Sequence, residues 1–137
     1  MHKLFAILLL LILLVAGCND QGPVASNPYA LWKAHALQNY TVDQERQCFC
    51  PYEGAVRITV HANQITSVIR LSDSSETSAE RYLTIDSLFS IALNPGTDSV
   101  AAVFNEVYGY PEILDINPQQ HPADGGVLYR TSNLQTQ

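Results

Sequence analysis

Basic side chains are scarce in this chain. The whole sequence has 7 Lys and Arg against 13 Asp and Glu. The signal cleavage predicted below also removes Lys3, which leaves 6 basic against 13 acidic side chains, a formal charge of −7 with neutral histidines. Such a surface repels phosphate backbones and anionic headgroups. The charge balance therefore disfavours nucleic acid as a partner, and it disfavours a basic patch that docks on membranes.

Motifs that carry a known chemistry are also lacking. The sequence has no G-x-S-x-G, no Ser/His/Asp order, no phosphate loop and no paired-carboxylate signature. His35, His61 and His121 do not have the spacing of a zinc site, because no H-x₃-H or C-x-x-C stands among them. We therefore expect a protein that is not an enzyme and that needs no metal or cofactor.

Long apolar runs are absent except at the N-terminus. There, Lys3 precedes an almost wholly apolar run over residues 4–16, which is the arrangement of an export signal. A membrane-spanning helix needs about 20 apolar residues, and this run is shorter. The pattern therefore predicts a signal peptide that is cleaved.

The end of that run matches a lipobox. Residues 14–18 read Leu-Val-Ala-Gly-Cys, a branched residue and small residues before an obligatory Cys. This predicts a lipoprotein signal peptide over residues 1–17. Residues 18–27 then consist of a lipidated Cys18 and a flexible polar tether. Two or three acyl chains anchor a protein stably where one does not. Asn19 rather than Asp follows Cys18, which favours the outer membrane, facing the periplasm, if the organism has two membranes.

Cysteine is equally rare, with three in the chain. If Cys18 carries lipid, Cys48 and Cys50 remain as a pair in an oxidising compartment. Four interpretations are open: a structural disulfide, which we favour, two free thiols, a redox pair, or metal ligands. Residues i and i+2 of a regular strand lie roughly 6.5 Å apart, near the upper limit for a disulfide. A bulge or a turn at Pro51 would bring them closer.

The rest of the chain predicts a single α+β domain over residues 28–137. Capping signals at Asn27 and Thr84 predict helices near residues 28–38 and 85–93. Period-two alternation predicts six strands, at residues 40–48, 55–62, 65–71, 99–107, 112–116 and 127–131. The order is α-βββ-α-βββ. We expect both helices to pack on one face of a curved antiparallel sheet.

One aromatic turn stands apart from the predicted core. Tyr108, Gly109, Tyr110 and Pro111 fall between two predicted strands, and a turn is not expected to bury both tyrosines. We therefore take these four residues as a candidate interaction surface.

Several segments together resemble a known family. They are Trp32, Tyr40, Arg46-Gln47-Cys48-Phe49-Cys50, residues 56–60, residues 84–89, Tyr108-Gly109-Tyr110-Pro111 and Asp124-Gly125-Gly126. The family, number 6174 of the domains of unknown function, consists of short bacterial secreted or lipid-anchored proteins. The resemblance implies a fold and an envelope location but transfers no catalytic residue.

The sequence therefore favours a non-enzymatic interaction or structural module, anchored through Cys18 and contacting an envelope protein. The alternatives are a periplasmic thiol-redox or metal-handling protein that uses Cys48 and Cys50, and a small-ligand-binding domain.

Overall fold

The structure is a computed structural model that describes residues 27–123 and 125–137. The predicted signal peptide, Cys18 and most of the tether lie outside these residues. The described part forms two α-helices, α1 (Pro28–His35) and α2 (Ile85–Leu93), and the strands β1 (Tyr40–Cys48), β2 (Ala55–His61), β3 (Gln64–Arg70), β4 (Val100–Phe104), β5 (Pro111–Ile116) and β6 (Val127–Thr136). Short 3₁₀ turns lie at Ala79–Arg81 and Pro118–Ala123. The predicted α-βββ-α-βββ order is confirmed.

Both helices begin where the sequence placed their caps. The Asn27 side chain accepts from the backbone N–H groups of Tyr29 and Ala30, and Pro28 occupies the first turn, where no donor is needed. At α2, Thr84 Oγ1 accepts from Ser87 N. The first helix ends three residues earlier than predicted. Ala36 takes a left-handed conformation and its N–H turns back to the Lys33 carbonyl, which closes the helix.

The described strands form one open antiparallel sheet in the order β3-β2-β1-β6-β5-β4. Each half of the chain contributes a meander of three neighbouring strands, and β1 joins β6 where the two meanders meet. β6 is longer than predicted, because residues 132–136 continue to pair with β1 although they have no apolar alternation. β4 is shorter than predicted, because the chain turns at Asn105.

Both helices cover the same face of the sheet, as predicted. The buried side chains of this face form two clusters. The larger cluster contains Trp32, Tyr40, Val42, Val56, Ile58, Val60, Val68, Tyr82, Ile85, Phe89 and Tyr110. The smaller one contains Leu88, Leu114 and Tyr129. Aromatic rings join α1 to its neighbours: Trp32 meets Tyr40 of β1 edge-on at 5.6 Å between ring centres, and Tyr29 meets Phe89 of α2 at 5.0 Å. The opposite face stays open to solvent along much of its length.

Strand register places the two ends of β1 far apart. Tyr40, at the start of β1, lies under α1, whereas Cys48 ends the strand eight residues later. At about 3.3 Å per residue the two positions are roughly 26 Å apart. The β4–β5 turn lies at the Tyr40 end, because Gly109 lies directly against the Pro28 carbonyl of α1. The β1–β2 connection that follows Cys48 is therefore at the opposite end of the domain.

Candidate functional site

Cys48 and Cys50 are joined as a disulfide at the end of β1. Their Cα atoms are 5.2 Å apart, within the range that a disulfide spans and less than the spacing of a regular strand. The shortening comes from a tight turn around Phe49, in which Cys50 N donates to the Cys48 carbonyl at 2.8 Å. We call residues 48–53, which contain this pair, the disulfide loop.

The guanidinium of Arg46 lies against both sulfurs. Its Nη1 is 2.9 Å from Cys48 Sγ and 3.3 Å from Cys50 Sγ. Arg46 precedes Cys48 by two residues, so the two side chains leave the strand on the same face. The Arg46 Nε atom is buried without a hydrogen-bond partner. Within the described residues, no carboxylate lies at ion-pair distance from Arg46.

On the open face of the sheet, Glu45 braces the disulfide loop. The Tyr52 hydroxyl donates to Glu45 Oε1 at 2.9 Å, and Gln47 Nε2 donates to the same oxygen at 2.8 Å. The hydrogen bond and the charge of Glu45 raise the pKa of the Tyr52 phenol, so the neutral donor is favoured. This contact fixes the far side of the loop to β1.

On the helix face, Glu53 braces the same loop. Arg81 Nη1 lies 3.1 Å from Glu53 Oε1, and the Tyr82 hydroxyl donates to Glu53 Oε2 at 3.2 Å. Burial first, and Glu53 second, raise the pKa of Tyr82. Because Arg81 and Tyr82 precede α2, this contact ties the loop to the second half of the chain.

The braced loop exposes apolar side chains at its tip. Phe49 is 74% exposed, Tyr52 is 66% exposed, and Pro51 is also exposed. The disulfide and two sets of hydrogen bonds fix the backbone that carries Phe49, so little backbone freedom remains to be lost when this exposed side chain binds a partner.

The aromatic turn lies between β4 and β5 and is covered by α1. Tyr110 is 4% exposed, Pro111 is fully buried and Gly109 is buried against α1. Tyr108 is half-buried and its ring packs on His35 at 4.8 Å. Of the four residues taken as a candidate interaction surface, Tyr108 alone keeps part of its side chain exposed. The reason is that α1 packs directly over the turn, which the local sequence does not reveal.

His35 and His61 are not brought together with the cysteines. His35 lies at the end of α1, where its Nε2 is 3.1 Å from the Val107 carbonyl, and His61 is exposed at the end of β2. The side chain of His121 lies outside the described residues. In the part of the chain that the structure describes, no group of three or more His, Cys, Asp or Glu side chains is placed to hold a metal ion.

Comparison with known proteins identifies the family. Residues 25–136 match DUF6174, a family of unknown function. The chain belongs to DUF6174. No curated protein and no solved structure matches the chain. The family resemblance inferred from the sequence is thus confirmed. Among the described residues of this DUF6174 chain, no helix has the length and apolarity needed to cross a membrane.

The sequence singled out the two cysteines of the disulfide loop but gave no role to Arg46 or Glu53. Arg46 was detectable, because a strand places residues two apart on one face and Cys48 follows it at that spacing. Glu53 was not, because its partners Arg81 and Tyr82 lie about thirty residues away in the chain and meet it only after the sheet has formed.

Proposed function

We propose that this DUF6174 chain is a non-enzymatic interaction module, anchored to the bacterial envelope by lipid on Cys18, that contacts an envelope protein through its disulfide loop. The observation that carries the proposal is the exposure of Phe49 and Tyr52 on a loop that is held from both faces of the sheet.

Aromatic side chains are the commonest energetic anchors of protein interfaces, and each Phe or Tyr buries about 150–250 Å². The disulfide loop adds exposed Pro51 between its two aromatic residues, so three exposed side chains with large apolar surfaces lie within four positions of the chain. Such side chains fit a partner with an apolar groove better than they fit a charged ligand. The acidic balance of the domain argues against anionic partners.

The position of the loop suits an anchored protein. The chain enters the domain at Asn27, beside α1 and the Tyr40 end of the sheet, while the disulfide loop lies at the other end. A lipid on Cys18 would therefore attach the domain at the end opposite to the loop. This leaves Phe49 directed toward partners on the side away from the anchor.

The contact is tested by site-specific photo-crosslinking in intact cells. A crosslinking residue at position 49 should give a discrete product with one envelope protein, and Tyr52→Ser should weaken that product. Leu93, which is 55% exposed at the end of α2, provides the matched control position. The same products from positions 49 and 93, or none from position 49, would refute the loop as the contact.

The anchor is tested separately. Cys18→Ser should release the protein from membranes in fractionation. The anchor proposal fails if Cys18→Ser still sediments with membranes and the protein has lost its signal peptide, since retention of the uncleaved apolar run would otherwise explain the result.

A small-ligand site has weaker support. The groove between α1 and the β2–β3 turn, lined by Trp32, Lys33, Ala36, Leu37, Gln38, Asn63 and Asp86, has a volume of about 170 Å³. Typical ligand sites measure about 300–1,000 Å³. A depression of about 400 Å³ reaches that range, but it is lined by Cys48, Phe49, Cys50 and Pro51, at the surface proposed as the protein contact. We therefore rank the interaction module above a ligand-binding domain.

A further inference from the structure

Among the described residues, no carboxylate lies at ion-pair distance from the Arg46 guanidinium. Its guanidinium is partly buried, its Nε has no partner, and its Nη1 contacts the sulfurs of Cys48 and Cys50. A neutral disulfide is a weak acceptor, and a cation removed from water is costly unless an anion pairs with it. The group that would become that anion is already in contact, because reduction converts a disulfide sulfur into a thiolate.

We propose that, beyond the contact proposed above, Cys48 and Cys50 react stoichiometrically in thiol–disulfide exchange with peptide dithiols, and that Arg46 stabilises the thiolate of Cys48. A guanidinium beside a cysteine favours the thiolate, and a leaving thiol of lower pKa departs faster. Arg46 therefore promotes the opening of the disulfide as well as the persistence of the opened form.

The two sulfurs have different roles. Cys50 is exposed, whereas Cys48 is half-buried as the last residue of β1, where it pairs with Val127. An incoming thiolate therefore reaches Cys50 Sγ. Arg46 Nη1 is nearer to Cys48 Sγ, at 2.9 Å, than to Cys50 Sγ, at 3.3 Å. Cys48 is thus the favoured leaving group.

The exchange needs no oxidant or reductant other than the substrate dithiol and the Cys48–Cys50 disulfide. The first substrate thiolate attacks Cys50 Sγ, a mixed disulfide forms, and the electron pair of the broken S–S bond passes to Cys48. The second substrate thiolate then attacks the substrate sulfur of the mixed disulfide, and Cys50 leaves as a thiolate that takes a proton from water. Two electrons move from the substrate dithiol to the pair, and the substrate becomes a disulfide. A substrate disulfide reverses these steps.

The surroundings of the pair suit a peptide substrate. Phe49 and Pro51 flank Cys50 and are exposed, which offers apolar contact to an extended chain. The charged and titratable groups beside Cys50 on the helix face are Arg46, Arg81, Glu53 and Tyr82. Glu53 already pairs with Arg81 and accepts from Tyr82, so its negative charge is compensated. Arg46 is then the dominant charge at the sulfurs.

The test uses the full chain with Cys18→Ser, in which Cys48 and Cys50 are the remaining cysteines. Thiolate absorbance of the reduced, folded protein is titrated with pH, and opening of the disulfide by dithiothreitol is followed by maleimide labelling. One thiolate should form well below the ordinary pKa of about 8.5. Arg46→Gln should raise that pKa and slow opening several-fold, whereas Arg46→Lys should retain part of both effects.

Arg130→Gln is the matched control, because it removes the same charge from the neighbouring strand on the opposite face of the sheet. It should leave both measurements unchanged.

Two results would overturn the exchange site. One is a first thiolate pKa near 8.5 in the protein that keeps Arg46, and the other is a disulfide that dithiothreitol does not open in folded protein. Neither result depends on whether the Arg46 variants fold. Crosslinking from position 49 is a separate readout, so a low thiolate pKa without a captured partner refutes the interaction module and leaves the exchange site standing.

Discussion

The indole Nε1–H of Trp32 donates to Oδ1 of Asp86 at 3.0 Å, which ties α1 to the first turn of α2 across 54 residues of sequence. Trp32 is buried against Tyr40, so its N–H has no access to bulk water. Asp86 also lies 3.8 Å from Lys33 Nζ and sits at the positive end of the α2 dipole. One carboxylate therefore holds both helices in place on the sheet.

Removal of this carboxylate should loosen the helix layer. Asp86→Ala leaves a buried indole donor unpaired and removes a favourable charge from the α2 N-terminus, so we expect a loss of about 2 kcal/mol in the free energy of unfolding. Urea unfolding followed by the fluorescence of Trp32, the one Trp of the chain, measures it directly. Glu106→Ala, which removes an exposed carboxylate, should change stability little; equal losses in the two variants would contradict the role of Asp86.

Gly109 should tolerate no side chain. Its φ of +81° disfavours other residues, and an added Cβ would collide with the Pro28 carbonyl and press on Leu31 Cβ at 3.1 Å. Gly96 has a similar φ of +63° but open space around it. We therefore expect Gly109→Ala to cost about 2 kcal/mol more than Gly96→Ala in thermal or urea unfolding. Both variants place Ala at a positive φ, so the difference between their losses of stability measures the collision with α1 alone. Similar losses in the two variants would show that α1 moves aside freely.

Two buried polar side chains should respond in opposite directions to apolar replacement. Thr131 Oγ1 is buried without a hydrogen-bond partner, so Thr131→Val should stabilise the protein by about 1 kcal/mol. Gln44 is only 1% exposed and forms two hydrogen bonds with the backbone of Leu83. Its Nε2 donates to the Leu83 carbonyl at 3.1 Å, and its Oε1 accepts from the Leu83 N–H at 3.0 Å. Gln44→Leu should destabilise it by about 2–3 kcal/mol, because two backbone groups lose their partners. Urea midpoints that shift in the same direction would contradict this contrast.

The features that the sequence predicted correctly are those set by local chemistry. Asn27 and Thr84 cap their helices with their own side chains, and the alternation of Val56, Ile58 and Val60 places one face of β2 in the core. Cys48 and Cys50 are near each other because only one residue separates them. Each of these depends on neighbours within a few positions, so the pattern contains the information.

The features that the sequence missed depend on distant partners. Ser132 and Gln135 look like a polar tail, yet they extend β6 because β1 supplies their backbone hydrogen bonds. Tyr110 looks like a turn residue, yet α1 covers it from almost eighty residues earlier in the chain. Similarly, the bracing of the disulfide loop through Glu53 needs Arg81 and Tyr82. Packing between the halves, rather than local propensity, decides all three.

Asp43, on the open face of the sheet, should make the stability of the fold fall at acid pH. The residue is 4% exposed, and its carboxylate accepts from Arg57 Nε at 2.7 Å, Arg57 Nη2 at 2.9 Å and Asn133 Nδ2 at 2.8 Å. Burial opposes ionisation, but the hydrogen bonds from Arg57 and Asn133 and the charge of Arg57 together outweigh it. The pKa of Asp43 is therefore lower than usual.

Because the folded-state pKa of Asp43 is below its unfolded value of about 3.9, the unfolded chain binds a proton first as pH falls. The stabilisation is complete above the unfolded pKa and is lost as pH falls through the folded one. Asp43→Asn removes this linkage, so it should be less stable than the native sequence at pH 7 and should converge with it as pH falls below about 4. Asn133→Ala removes one donor to the Asp43 carboxylate, so the folded-state pKa of Asp43 should rise toward its unfolded value and the pH dependence of stability should become smaller. Urea unfolding at several pH values measures these curves, and a constant difference between the native chain and Asp43→Asn down to pH 2 would show that Asp43 does not titrate in this way.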